Sequence, residues 1–242
     1  MNIIRHHFTT IDSTNTWAKH NAHTFDPTAI TLITADTQTA GRGRFKRQWV
    51  SPPDQNIYAT YCVFLEKHRP DIGNLPQVAA ISIAEILTSL NFQPQLKWPN
   101  DVILNTKKVA GILSESTPLS DKLCLIIGIG LNINMPKEIL DTIDRPATSL
   151  LAESNQRHNI TDVLDLLTTQ FSNNITLFLN DSFHPFLQTY RSLLLKPTNP
   201  IQFNDNHTTW TGHIHSINND GSLNLLLPNN TLHTFHAGEI LP

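Results

Sequence analysis

Four cations fall within six positions of the stretch Ala40-Gly41-Arg42-Gly43-Arg44-Phe45-Lys46-Arg47-Gln48-Trp49, in a chain whose formal net charge is -3. Guanidinium and ammonium groups suit phosphate or carboxylate. Two glycines allow close backbone approach or a positive φ, and Trp49 offers a flat face to a base or an apolar ring. The chemistry on offer is the cradling of a nucleotide phosphate. The stretch is not a Walker loop, because no G-x-x-x-x-G-K-[ST] follows. Taken alone it is ambiguous: a solvated basic loop is the commoner fate of such a run, and a nucleic-acid patch comes next.

Other polar residues stand where chemistry would need them. In Leu96-Lys97-Trp98-Pro99-Asn100-Asp101-Val102-Ile103-Leu104 a proline interrupts an apolar, strand-like segment. One reading is an edge strand with a polar turn. The other is a bulge that aims Lys97, Asn100 and Asp101 into a cleft, where Asp101 holds Mg²⁺ beside substrate phosphates. Asp12-Ser13-Thr14-Asn15 supplies a helix cap and more hydroxyl and amide groups than a cap needs; the surplus would hydrogen-bond a small ligand. Of nine glycines, Gly41, Gly43, Gly111, Gly128 and Gly130 are read as the floor of one pocket. Gly128-x-Gly130 lacks the third glycine of a dinucleotide fingerprint. His213, His215, His233 and His236 have no cysteine or acidic partner at zinc-like spacing and read as ordinary surface histidines.

The elements that must position these groups follow from periodicity. Strands are expected at residues 2–8, 29–35, 56–64, 107–113 and 123–131, the last two joined as a hairpin through 118–122. A short helix follows the cap through Trp17 and Ala18. Leu75, Val78, Ala79, Ile83, Ile86, Leu87 and Leu90 mark a core-facing helix. Residues 136–159 read as irregular. Thr161 is expected to cap a helix whose apolar face is Val163, Leu166, Leu167, Phe171, Ile175 and Phe178, with a second helix over 182–195. Lys196-Pro197-Thr198-Asn199-Pro200 marks a boundary, so the expected units are 1–196 and 197–242. Strands at 201–203, 209–217, 222–227 and 231–236 predict a small β-barrel of four or five strands in the second unit. The fold class is α+β: a mixed, mainly antiparallel sheet with helices, then the barrel.

Composition narrows the function. A pI near 6.4 argues against a general nucleic-acid binder. The apolar run around 123–131 is too short to span a bilayer, and the amino terminus lacks the apolar core of a signal peptide. Cys62 and Cys124 lie in apolar runs and read as buried free thiols, with the cytoplasm as the expected compartment.

Four ordered blocks carry a resemblance over the whole chain: Gly41-Arg42-Gly43-Arg44-x-x-Arg47-x-Trp49-x-Ser51-Pro52, Lys97-Trp98-Pro99-Asn100-Asp101, Lys108-Val109-Ala110-Gly111-Ile112-Leu113 and Gly128-x-Gly130-Leu131-Asn132. Together they resemble the biotin protein ligase family, whose catalytic fold is class II synthetase-like. Ser13-Thr14-Asn15 is similar to an early motif of that family. Ile217-x-x-x-Gly221-x-Leu223 with Gly238-Glu239-Ile240 is similar to its carboxyl-terminal SH3-like domain. The resemblance implies that biotin and ATP are joined as biotinyl-5′-adenylate, and that biotin then passes to a lysine of the biotin carboxyl carrier protein of acetyl-CoA carboxylase. It implies biotin contacts from Ser13, Thr14, Asn15, Gln38, Gly41, Arg42 and Gly111. Nucleotide contacts are implied for Arg42, Arg44, Trp49 (beside the adenine), Asn100, Lys108 and Asn132. Lys108, Arg44, Lys97 and Asp101 are implied to be catalytic, and Asp101 and Asn132 to serve Mg²⁺.

The basic loop is expected to be mobile when empty and ordered by ligand. Two departures stand out. Lys46 occupies a position where the family often has glycine, which changes the flexibility and charge of the loop. The catalytic pattern begins almost at Met1, so no DNA-binding repressor domain and no DNA partner are expected. A homodimer through sheet edges is expected from the resemblance, and no membrane association. Two other readings stay open: a lipoate or octanoate ligase or transferase, which shares the catalytic fold, and a non-catalytic module that senses biotin or binds a partner.

Overall fold

Aliphatic and β-branched runs set the strands, and their alternation sets which face each strand buries. The computed structural model describes residues 1–241. In chain order the elements are β1 (Ile3–Ile11), α1 (Thr14–Asn21), β2 (Ile30–Gln38), β3 (Asn56–Glu66), α2 (Leu75–Ser89), β4 (Gln95–Lys97), β5 (Asp101–Leu104), β6 (Lys107–Leu119), β7 (Lys122–Asn132), α3 (Lys137–Leu140), α4 (Leu150–Ser154), α5 (Ile160–Asp181) and α6 (Leu187–Leu193). Five short strands follow: β8 (Ile201–Asn204), β9 (Thr209–Ile217), β10 (Leu223–Leu226), β11 (Leu232–Phe235) and β12 (Glu239–Ile240). The first sheet has seven strands in the order β1-β2-β3-β7-β6-β5-β4. Only β1 and β2 pair in parallel; the other pairs are antiparallel. The second sheet runs β11-β10-β9-β8-β12, antiparallel throughout, in keeping with an SH3-like domain. The α+β class is the one expected.

One face of the large sheet is covered by α2 and α5. Val163, Leu167, Phe171, Ile175 and Phe178 of α5 are buried at the three- and four-residue spacing of one helix face. The Phe171 ring lies 4.5 Å from that of Tyr61 on β3. The same apolar core continues into the second sheet through Phe203, Ile214, Leu223, Leu225, Phe235 and Ile240. Polar ties reinforce that junction: the Trp98 indole N–H and the Gln77 amide both donate to the Gly221 carbonyl, at 3.0 and 2.9 Å. The free thiols Cys62 and Cys124 are buried under α1 on the other face, in a smaller apolar cluster.

Several local expectations need correction. Asn159, not Thr161, caps α5, its side chain accepting from the backbone N–H groups of Thr161 and Asp162. Leu166 is 44% exposed and lies off the buried stripe. No helix starts at Ser182: that residue is left-handed at φ 58 and closes α5. Pro185 then sits in a short 3₁₀ turn, so α6 begins only at Leu187. Residues 136–159, read as irregular, contain α3 and α4. Of the two readings of the Pro99 segment, the edge strand with a polar turn is the one found, and the bulge lies elsewhere. Trp98-Pro99-Asn100, with a cis Trp98–Pro99 bond, is the turn of a β4–β5 hairpin. The extra residue is Val109 in β6: Val102 faces Ala110 while Ile103 faces Lys108. No helix among the described residues is long and apolar enough to cross a membrane.

Candidate active site

Register places the chemistry in rows across one face of the large sheet. Tyr58 pairs with Gly130, Gly130 with Gly111, Gly111 with Asp101, and Asp101 with Lys97. A neighbouring row runs Thr60–Gly128–Leu113. The paired glycines Gly111 and Gly130 form a flat floor. A Cβ at Gly130 would come within 2.5 Å of the Trp49 indole, and one at Gly128 within 2.9 Å of the Asn15 amide carbon. Both positions are glycine because a side chain from another element lies directly on the backbone. The bulge at Val109 turns Lys108 onto the face of Gly111, which regular alternation would have denied it. Lys108 is also clamped by its backbone. Its N–H donates to the Pro146 carbonyl and its own carbonyl accepts from the Thr148 N–H, both at 2.9 Å.

Above this floor is a cavity of about 720 Å³, within the range of about 300–1,000 Å³ typical of small-ligand sites. Ser13, Thr14, Asn15, Gln38, Arg42, Arg44, Trp49, Lys97, Asn100, Asp101, Lys108, Gly111 and Asn132 all line it. Of the residues singled out from the sequence, Gly41 alone is not on its wall. Gly41 is buried at the base of the loop, where its carbonyl accepts from the Trp49 N–H at 2.9 Å.

One end of the cavity is polar and uncharged. Ser13 caps α1, so Thr14 and Asn15 fall on its first turn and point toward β2 and β3. The Gln38 side-chain oxygen accepts from the backbone N–H and the hydroxyl of Thr14, at 3.0 and 3.2 Å. Thr60 joins the Thr14 hydroxyl (2.8 Å) to the Asn15 carbonyl oxygen (2.7 Å). Ser13, Thr14, Asn15 and Thr60 are buried.

The other end is cationic. The loop over residues 41–49 folds back on itself through a bridge between Arg42 and Gln48 and a 2.7 Å bond from the Gly43 N–H to the Arg47 carbonyl. Its tip is left-handed at Phe45 (φ 56) and Lys46 (φ 60). Side chains tie it outward. Arg44 donates to the Gly238 carbonyl at 2.9 Å and to the Asn100 side-chain oxygen at 3.3 Å. Arg42 pairs with Glu115 at 2.8 Å. Arg47 forms a forked pair with Glu239, which also accepts from Arg145 at 2.9 Å. The loop is folded and tied by these contacts to the β4–β5 turn, β6 and the second sheet.

Electrostatics follow from these contacts. Burial pulls the Arg44 guanidinium below its ordinary value, opposed by the charges of Glu239 and Asp101. Burial also lowers Lys97, again opposed by Asp101 and Glu239 and assisted by the nearby Arg145 and Lys108. At Glu239 burial pushes the carboxyl up, but hydrogen bonds and charge from Arg47 and Arg145 win and hold it at about 2. Lys108 lies 2.6 Å from the Asp101 carboxylate and 5.4 Å from the Trp49 ring centroid. The Asn132 amide donates to the Thr148 carbonyl at 2.9 Å, whereas its buried oxygen has no partner among the described residues. The Trp49 indole nitrogen is likewise buried and unpartnered.

Sequence reasoning missed Arg145, Glu115 and Thr60, and quoted Arg47 and Glu239 without giving them a role. Glu239 had a signal, its place in the Gly238-Glu239-Ile240 block. Arg145 and Glu115 sit outside every motif block. The histidines do not converge: His233 stacks on Trp210, ring centroids 4.4 Å apart, while His213 and His215 are exposed. Among the described residues no group of three or more His, Cys, Asp or Glu could hold a metal.

Residues 7–132 match the model of the biotin/lipoate A/B protein ligase family. The bifunctional ligase/repressor BirA of Bacillus subtilis is 29% identical over 218 residues, which cover 87% of this chain and 65% of that protein. The chain thus spans a little under two thirds of that relative. The biotin–[acetyl-CoA-carboxylase] ligase of Paracoccus denitrificans is 33% identical over 168 residues, covering 66% of this chain and 68% of that one. Among solved structures, the biotin protein ligase from Aquifex aeolicus in complex with biotin and ATP aligns with a TM-score of 0.81 and 29% identity, covering 99% of this chain and 97% of that chain. The glycine floor, the cationic loop and these likenesses lead to one conclusion: this chain belongs to the biotin/lipoate A/B protein ligase family.

Proposed function

We propose that the chain is an ATP-dependent biotin–protein ligase acting in the cytoplasm on a lysine of the biotin carboxyl carrier protein of acetyl-CoA carboxylase. The observation that carries this reading is the polarity of one cavity, uncharged and hydrogen-bonding at one end and cationic at the other. Biotin has a ureido group at one end and a carboxylate at the other. Lipoate and octanoate have no polar head, and would leave the buried Thr14 and Asn15 and the half-buried Gln38 facing hydrocarbon. Polar groups desolvated without a partner discriminate strongly against such acids.

In the first half-reaction the biotin carboxylate oxygen attacks the α-phosphorus of ATP. A carboxyl–phosphate anhydride forms and pyrophosphate leaves. Two anions must meet, so the cations serve both approach and transition state. Lys108 bridges carboxylate and phosphoryl oxygens, Arg42 lies near the same carboxylate, and Arg44 lines the adenylate. Trp49, lying on the glycine floor, is the flat surface offered to the adenine. In the second half-reaction the acceptor lysine amine attacks the carboxyl carbon and AMP leaves, so no side-chain nucleophile is needed. Lys97, its pKa lowered by burial, is closer than an ordinary lysine to accepting a proton in that step, with Asp101 beside it in register.

Asp101 and the unpartnered Asn132 oxygen fit a Mg²⁺ ion that takes its remaining ligands from nucleotide phosphates and water. Such an ion would offset the charge of the triphosphate. The test is pyrophosphate release from purified protein with Mg·ATP and biotin, lipoate or octanoate in parallel. Release with biotin alone is expected, and adding carrier protein then checks transfer. Release with another acid instead moves the chain to that substrate. Silence with all three from folded protein reduces the cavity to a binding site.

A further inference from the structure

We propose that Arg145 contacts the β- and γ-phosphates of the bound nucleotide and stabilises the departing pyrophosphate. The inference rests on the adenylate-forming reading of the same cavity. Arg145 belongs to no motif block and lies in the connection between α3 and α4. It nonetheless lines the cavity. Two residues on, Ala147 pairs with Lys108 in a parallel bridge, with the two 2.9 Å backbone bonds already described. Arg145 and Lys108 therefore share one rigid frame, although they come from distant parts of the chain.

Glu239 fixes the Arg145 guanidinium by a single hydrogen bond of 2.9 Å. The remaining donors of that guanidinium engage no other described residue, and its side chain is 37% exposed. Glu239 also holds Arg47, so one carboxylate serves two cations and leaves positive charge over. Arg42 is neutralised by Glu115. Five further cations of the cavity then face two carboxylates, Asp101 and Glu239. A biotin carboxylate and a single α-phosphate would not use this surplus, whereas a triphosphate would. A guanidinium with free donors, oriented by a carboxylate, suits phosphate oxygens. The β- and γ-phosphates leave as pyrophosphate, so Arg145 should matter for adenylation and not for transfer from the adenylate.

The experiment compares wild type with Arg145→Ala and Arg145→Lys. In the alanine variant the KM for Mg·ATP should rise about tenfold or more, the worth of one charge-assisted hydrogen bond. Inhibition by added pyrophosphate should weaken in parallel, and the lysine variant should recover part of both. Transfer from chemically prepared biotinyl-5′-adenylate to carrier protein should stay within about twofold of wild type. Calorimetry adds a readout that needs no turnover: the alanine variant should bind α,β-methylene ATP more weakly but AMP as well as before. An active wild type with an unchanged KM for ATP in folded Arg145→Ala overturns the proposal. Equal losses in both half-reactions also overturn it, since they mark a merely structural role. If wild type releases no pyrophosphate with any acid, the ligase reading fails, and the triphosphate-against-AMP difference still decides the role of Arg145.

Discussion

Replacing Glu239 with glutamine keeps its size and an acceptor oxygen but removes the charge shared by Arg47 and Arg145. The carboxyl is held at about 2 against an ordinary 4.5. At about 1.4 kcal/mol per unit, that gap is worth about 3 kcal/mol. The two arginine side chains are 38% and 37% exposed, and solvent screening brings the expected loss down to about 2 kcal/mol. The sign is fixed by linkage. The folded value lies below the unfolded one, so the contribution is complete above the unfolded value and is lost as pH falls toward the folded one. Urea denaturation of wild type and Glu239→Gln at pH 7 should show a gap of about 2 kcal/mol, more than half of it gone by pH 3. Other carboxyls with depressed values, Asp71 and Asp220 among them, weaken both proteins in acid, and the difference between the two isolates Glu239. A gap of the same size at both pH values, or none at pH 7, would refute the reasoning.

Three further substitutions test the site. Lys108→Ala should lower pyrophosphate release by about a hundredfold or more while urea midpoints place its stability within about 1 kcal/mol of wild type, because its ion pair with Asp101 is partly exposed; unchanged release sinks its assignment. Gly130→Ala should drive the Trp49 indole off the floor, shift tryptophan fluorescence and raise the KM for Mg·ATP, whereas an unaltered spectrum and KM would mean that the close approach is not needed. Lys46 is left-handed at φ 60, so Lys46→Val should cost more than about 1 kcal/mol and Lys46→Gly should not lower stability; thermal melts that rank the two variants the other way would contradict the backbone account.

Much of this site was legible because its parts are local in sequence. Arg42 and Arg44 share a loop, Ser13 to Asn15 share a cap, and Gly128 and Gly130 share a strand face by simple alternation. Thirteen of the fourteen residues singled out line one cavity. What stayed hidden depends on pairing between distant segments. Arg145 comes to the cavity only because Ala147 lies against Lys108. Glu239 becomes a partner for two arginines only once the second sheet packs on the first. Glu115 was invisible for a similar reason, being one acidic residue in an alternating strand until the loop folds over it. The misplaced bulge has a clear origin too. Proline suggests where pairing breaks, but a hairpin turn absorbed Pro99, and the extra residue in β6 carries no mark of its own.

That unmarked residue makes Val109 a switch of parity. Counted along β6, Lys108 and Gly111 are an odd number of steps apart, and a perfect strand would put them on opposite sides. Val109, fully buried and bulged out of the ladder with β5, converts odd to even. Pairing Val109 opposite Ile103 in regular register would undo that conversion and turn the lysine away from its carboxylate while every residue stayed in the chain. Register, here, is as much a functional character of the segment as composition.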